Sequence, residues 1–392
     1  MLDRLEPQSP DALLALIKLH AEDPRSDKID LGVGVYRTDD GATPVFEAVK
    51  GAERQLLDGQ ESKSYLGPEG DMGFVNALKP YVFGRDPAKG GRIEGMQTPG
   101  GTGAVRLAVA LVDAAGGKRV HLGVPSWPNH AQILDDVGIE TVTFDHAHPD
   151  GTANLDAVLH ILHHGTAEDA VLLHGCCHNP TGIDYTPEQW DAIAEAVKDS
   201  PVLPIIDIAY QGLGHGLDED AYGVRAVVDA AEQALVCYSC DKNFGLYRDR
   251  TGALYVLGRE AEAMGPIMSN ANALARANWS MPPDHGGAAV RLVLRDEELT
   301  QSWKAELASM RERLRWVRDT LTTADERIGG IDMEPLGRGN GMFAMLPLDK
   351  DQIATLRKDH AVYMAGSGRI NVAGLTRGNI GSFIDALADV AD

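Results

Sequence analysis

Between Arg119 and Leu257 the sequence switches its apolar period again and again. Short apolar runs cover 119–124, 140–144, 170–174, 202–208, 234–238 and 252–257. Between most of them lie segments with helical spacing, at 128–137, 155–163, 186–200 and 221–230. A strand that leads into a helix cannot pair with the next strand through a tight turn. The connection crosses over, neighbouring strands become parallel, and helices cover both faces. The spacing therefore predicts an α/β architecture with a mostly parallel sheet. Ligands of such sheets gather at the carboxyl ends of the strands. Residues with chemistry fall there: Asn179 follows one strand, Asp207 and Tyr210 close the next, and Lys242 follows another.

The flanks read differently. Residues 10–20 have a short helical pattern with Ser9 or Asp11 as its start. Residues 29–36, IDLGVGVY, read as an extended segment whose glycines let backbone approach something closely. Gly32 and Gly34 do not make a dinucleotide fingerprint, because the third glycine and the following helix are missing. Helices are expected over 43–60, with Pro44 early, and over 74–82. A long polar helix over 297–322 reads as the connector out of a large domain. Beyond it, strand and helix patterns at 342–345, 348–360 and 362–365 lead to a closing helix. With 392 residues, two or three domains are expected.

Charge and composition exclude several function classes. The net charge of −22 argues against nucleic acid and anionic membranes as partners. Aromatic residues make up 6% of the chain, too few for a base-stacking platform. No apolar run reaches the length of a membrane span, and MLDRLEPQSP lacks the pattern of a signal peptide, so a cytoplasmic location is expected. The cysteines Cys176, Cys177, Cys237 and Cys240 suit a reducing compartment. A four-thiolate zinc site is one reading of them. Side chains in extended segments alternate, so both pairs are expected to diverge, and no metal is expected.

Two stretches stand out. PGGTGA at 99–104 runs straight into an Ala/Val/Leu helix. It is either a plain tight turn or an anion seat, since free N–H groups at a helix start bind anions. The second stretch, 238–250, places Lys242 just after an apolar strand, with Arg248 and Arg250 downstream. Lys242 is either an exposed loop lysine or a Schiff-base amine whose pKa is lowered by desolvation and cationic neighbours. Asp207 can hold a heterocycle nitrogen protonated, Asn179 and Tyr210 can bond a ring hydroxyl, and Trp127 can stack on a flat ring. With an amine and a phosphate seat, these are the parts that pyridoxal phosphate requires.

The motifs IDLGVGVY, PGGTGA, PSWPNH, HGCCHNPTG, DIAYQG, KNFGLYRDR, NGMF and SGRINVAG occur in order along almost the whole chain. In them the sequence resembles the fold-type I pyridoxal-phosphate aminotransferases of class I, the aspartate and aromatic amino-acid branch. The resemblance implies a large domain with a seven-stranded, mostly parallel sheet between helices, and a smaller α+β domain. The corresponding boundaries are an arm at 1–10, the small domain at 11–40 and 296–392, and the large domain at 41–295. It also implies that Lys242 carries the cofactor as an imine and moves the substrate proton. Asp207 would pair with the pyridine nitrogen, supported by His130. Tyr210 and Asn179 would bond the ring oxygen, and Trp127 would stack on the ring. Gly101, Thr102, Ser239 and Arg250 would hold the phosphate, joined by Tyr65 of the other subunit of a homodimer. Arg369 would clamp the substrate α-carboxylate, with Gly34, Phe343, Trp127 and Asn179 around the substrate. Arg276 of the neighbouring subunit would meet a distal carboxylate.

Two departures from the family pattern carry expectations of their own. Asp241 stands immediately before the lysine, where relatives usually have serine. Alternation along an extended segment predicts that it points away. Met281 stands where strict aspartate enzymes often have asparagine, and a flexible thioether suits a pocket that also accepts aromatic side chains. The implied reaction is ping-pong transfer from a dicarboxylic or aromatic L-amino acid to a 2-oxo acid such as 2-oxoglutarate. Glyoxylate or oxaloacetate as acceptor, and a lyase on the same scaffold, are the alternatives.

Overall fold

A computed structural model describes residues 2–6, 12–84, 90–324 and 327–391. Residues 7–10 of the expected arm, and the helix start at Ser9 or Asp11, lie outside the described residues; the helix itself runs Ala12–Glu22. The chain divides into two compact units. The larger holds Pro44–Arg313 with Gly339–Gly341, the smaller Met1–Thr43, Leu314–Arg338 and Met342–Asp392. The long helix Glu297–Ala324 contributes to both.

The large unit is built on seven strands: β1 (Ile93–Pro99), β2 (Arg119–Val124), β3 (Glu140–Asp145), β4 (Asp169–His174), β5 (Leu203–Ile208), β6 (Ala234–Ser239) and β7 (Thr251–Leu257). Their order across the sheet is β1-β7-β6-β5-β4-β2-β3. The pairs among β2 to β6 are parallel, as helical crossovers dictate. Strand β7 is antiparallel to both neighbours. The reason lies in the sequence: no helical pattern separates β6 from β7, and the short link 240–250 simply turns the chain back. Lys242 sits in that link. Every residue of β6 and β7 is buried, which is why both read as continuous apolar runs rather than alternating ones. Strand β3, at one end of the sheet, has no buried residue.

The helix Gly100–Ala114 is apolar almost all round, the pattern of a helix enclosed on every side. Its Val105, Leu107, Ala108 and Val109 are fully buried in the main core, with Met96, Val120, Ile205 and Leu254 from the strands. Another helix begins later than its pattern suggested. It runs Glu47–Gly59 rather than from Thr43, and Phe46 precedes it in an extended conformation. Glu306 sets that start, accepting the N–H groups of Glu47 and Ala48 at 3.0 and 3.2 Å.

Trp303, on the long helix, is fully buried and fixes the lysine link from behind. Its ring stacks on Phe244 with centroids 4.5 Å apart, and its Nε1–H donates to the Asn243 carbonyl at 2.6 Å. Asn243 in turn donates to the Tyr238 hydroxyl at 2.7 Å, and that hydroxyl donates to Gln211 at 2.8 Å. Trp303→Ala is therefore expected to cost about 3–5 kcal/mol of stability, from the cavity it leaves. Urea unfolding of the large-unit transition checks this.

In the small unit, Ile29–Asp30 pairs in parallel with Val362–Tyr363, and Phe343–Met345 pairs antiparallel with Arg369–Asn371. The close approach expected of IDLGVGVY is present: a Cβ at Gly34 would lie 3.0 Å from the Phe343 ring, and one at Gly32 would collide with Leu16. Arg318 is buried here, donating to the carbonyls of Leu336 and Phe343 at 2.6 Å each.

Candidate active site

The glycine-rich turn ends β1 and opens the helix Gly100–Ala114 against the ends of β6 and β7. Gly100 has φ of 71°, and a Cβ there would lie 2.7 Å from Arg250 Nη2. A Cβ on Gly101 would lie 2.8 Å from Cβ of Ser239. Only glycine lets the first helical turn come this close to both side chains. Gly100, Gly101, Ser239 and Arg250 thus converge where a helix presents unbonded N–H groups and the positive end of its dipole, with Thr102 next in the same turn. The donor set fits a phosphate.

Lys242 is half-buried, and its amine stands over the Tyr210 ring, 5.2 Å from the centroid. Burial lowers its pKa from the ordinary lysine value; Asp241 and Asp207 push it back up, and Arg250 lowers it further. Because the folded state binds the proton less readily than the unfolded chain, this lysine opposes folding below its lowered pKa. That cost fades as pH rises toward the ordinary lysine value. Lys242→Met is expected to stabilise the cofactor-free protein at neutral pH, and the gain is expected to shrink toward about pH 10. Urea titrations of both proteins at the two pH values check the sign.

Asp207 closes β5 and is buried. Its Oδ2 is 2.9 Å from His130 Nε2; His130 Nδ1 is 2.9 Å from Ser126 Oγ, which is 3.1 Å from His174 Nε2. The Asp207 carboxylate accepts from His130 Nε2–H, and the Ser126 hydroxyl links the two imidazoles, donating to one and accepting from the other. Burial, with His130 and His146 nearby, holds the His174 pKa well below the usual range, so this ring is neutral. Behind it, His146 and His178 stack with centroids 3.5 Å apart, and burial keeps both neutral as well. The other Asp207 oxygen, Oδ1, is buried and has no hydrogen-bond partner among the described residues, as is the amide oxygen of Asn179. A buried carboxylate oxygen without a donor is costly. A ligand ring carrying an N–H supplies the missing donor. Trp127 packs edge-on against the His130 ring, 5.1 Å between centroids.

Two sequence expectations fail here. Asp241 does not point away. Strand β6 stops at Ser239, so alternation ends before Asp241, and the turn swings its carboxylate inward. Its Oδ2 accepts from Arg250 Nη1 at 2.5 Å, and the residue is buried. Nor do Cys176 and Cys177 diverge. Cys177 has φ of 51°, which breaks the alternation, and both thiols lie with an Asp220 oxygen within 4.8 Å of one another. Asp220 accepts the N–H groups of Gly212, Gly214 and His215 at 2.7 to 2.9 Å, a structural use of its carboxylate. The Cys177 thiol is pushed well up by its contact with Cys176 and by burial, which disfavours the thiolate a metal needs.

In the small unit, Arg369 donates to the Gly32 carbonyl at 2.9 Å and lies over the Phe343 ring, 4.8 Å from its centroid. Gly34 packs on the same ring. In the large unit Tyr65 is 94% exposed, and Arg276 is exposed with Nη1 donating to Ser280 Oγ at 2.8 Å. Met281 lies beside that region, its sulfur 3.0 Å from the Leu66 nitrogen. The sequence reading missed Ser126, His174, Gln211 and Trp303. Ser126, His174 and Gln211 lie inside the motifs PSWPNH, HGCCHNPTG and DIAYQG without a local sign of their role; Trp303 has no local signal.

The model of the aminotransferase class I and II family matches residues 26–387. Tyrosine aminotransferase of Rhizobium meliloti strain 1021 is 45% identical over 381 residues, 96% of each chain. Aspartate aminotransferase of Escherichia coli K12 is 38% identical over 395 residues, covering both chains fully. Among solved structures, aromatic-amino-acid aminotransferase from Burkholderia pseudomallei, covalently bound to pyridoxal phosphate, superposes with a TM-score of 0.95 at 33% identity over the whole of both chains. The orphaned Asp207 oxygen, the desolvated Lys242 amine and the glycine-lined anion seat fit that same cofactor. The chain belongs to the aminotransferase class I and II family and is a pyridoxal-phosphate-dependent aminotransferase.

Proposed function

We propose that this aminotransferase moves the amino group of dicarboxylic and aromatic L-amino acids to a 2-oxo acid such as 2-oxoglutarate, in two half-reactions. The observation that carries the reading is the meeting of a pKa-lowered Lys242 amine with Asp207 and its unused oxygen. When bound, pyridoxal phosphate supplies an electron sink for the bond broken at the substrate Cα. The protein's own residues do the rest. Gly101, Thr102, Ser239 and Arg250 hold the phosphate, and Trp127 lies against the ring. Asp207 keeps the ring nitrogen protonated, with His130, Ser126 and His174 fixing its orientation. Asn179 and Tyr210 bond the ring oxygen. The Lys242 amine takes the Cα proton and returns it, acting as base and then as acid; a lowered pKa suits both tasks. Arg369 binds the substrate α-carboxylate, with Phe343 and Gly34 shaping its setting.

Both donor classes are supported. Arg276 offers a guanidinium for a distal carboxylate, and Met281 offers an adaptable apolar surface for a ring. The relatives named above include one tyrosine and one aspartate enzyme. The exposure of Tyr65 and Arg276 supports a homodimer in which each protomer lends these residues to its partner. The net charge of −22 and the free, buried thiols support a cytoplasmic location. Among the described residues no helix is long and apolar enough to cross a membrane. A panel of aspartate, glutamate, tyrosine and phenylalanine as donors, against 2-oxoglutarate, oxaloacetate and glyoxylate, tests the reading. Parallel double-reciprocal plots with both donor classes are expected. Turnover of only one class narrows the proposal, and release of an elimination product instead of a new amino acid overturns it.

A further inference from the structure

Asp241 stands inside the anion seat, and no step of the proposed chemistry uses it. Its side chain is 7% exposed. Oδ2 accepts from Arg250 Nη1 at 2.5 Å, and Oδ1 is buried without a hydrogen-bond partner among the described residues. The Asp241 N–H donates to Ser239 Oγ at 3.2 Å. Asp241 therefore engages both side chains, Ser239 and Arg250, that border the glycine turn. Arg250 Nη1 is thereby occupied, while the Ser239 hydroxyl hydrogen and the backbone at the start of the helix Gly100–Ala114 stay available as donors. The charges felt at the neighbouring Lys242 amine are those of Asp241, Asp207 and Arg250.

We propose that Asp241 is a resident anion of the phosphate seat, whose carboxylate holds Arg250 in the cofactor-free protein and competes for it with the cofactor's phosphate. The proposal rests on the cofactor reading above. A phosphate that enters meets an arginine already paired and a buried like charge that solvent does not screen. Cofactor affinity is thereby set lower than the donor set alone allows. Removing the charge while keeping the shape frees Arg250 for two-pronged contact with phosphate oxygens. If Asp241 only props Arg250 in place, the sign reverses. Without the carboxylate the half-exposed arginine turns to solvent, and phosphate binds more weakly.

The test uses the full-length protein stripped of cofactor, as wild type, Asp241→Asn and Asp241→Ser. Dissociation constants are measured for inorganic phosphate by calorimetry, for pyridoxal phosphate by absorbance, and for pyridoxal, which lacks the phosphate. Both variants are expected to bind inorganic phosphate and pyridoxal phosphate about 10- to 100-fold more tightly, with pyridoxal unchanged. Equal or weaker phosphate binding in either variant that unfolds cooperatively overturns the proposal. If one variant fails to fold, the other carries the measurement. Failure of the cofactor reading looks different: no absorbance change with pyridoxal phosphate in any of the three proteins.

Discussion

Lys242→Ala is expected to lower kcat by about 10⁴-fold or more, the upper range for loss of a positioned acid–base group. The size follows from two losses at once. On the proposed roles, the amine that attaches the cofactor is gone, and so is the group that takes the Cα proton and returns it. No neighbour replaces it. Tyr210 faces the lysine but its hydroxyl is a poor base near neutral pH, and Asp241 is committed to Arg250. The fold is expected to survive, because the link that carries Lys242 is held by Trp303, Asn243 and Tyr238 rather than by the lysine. Steady-state rates with aspartate and tyrosine, beside a retained cooperative unfolding transition, check both halves. A variant within tenfold of the wild-type rate contradicts the assigned role.

The second large effect belongs to Asp207→Asn. Asparagine keeps the size and can still meet His130, but it carries no charge to hold a ring nitrogen protonated. A loss of about 10²–10³ in kcat is expected, the scale of removing one preorganised electrostatic partner of developing charge. Attachment at Lys242 should persist, because the phosphate seat and the amine are intact. A small rate loss would show that the negative charge of Asp207 is not what holds the ring nitrogen protonated.

Much of this site was legible because its signals are local. Strand runs that end at or lead into Asn179, Asp207, Tyr210 and Lys242 place those residues at the carboxyl ends of neighbouring strands by topology alone. The glycine turn advertises a helix start. What escaped reading depends on where a regular element stops or on partners far away in sequence. Alternation gave the wrong side for Asp241 because the strand ends at Ser239. It failed for Cys176 and Cys177 because one residue adopts a positive φ. The helix expected from Thr43 starts at Glu47 because Glu306, remote in the chain, supplies the cap. Trp303 meets the lysine link from sixty positions away, and nothing in its neighbourhood says so.

The imine between Lys242 and pyridoxal phosphate is tested most directly by reducing the cofactor-loaded protein with borohydride and mapping the labelled peptide. One label per chain is expected, on the peptide that contains Lys242. A label on another lysine, or none on a protein that holds the cofactor, contradicts the account.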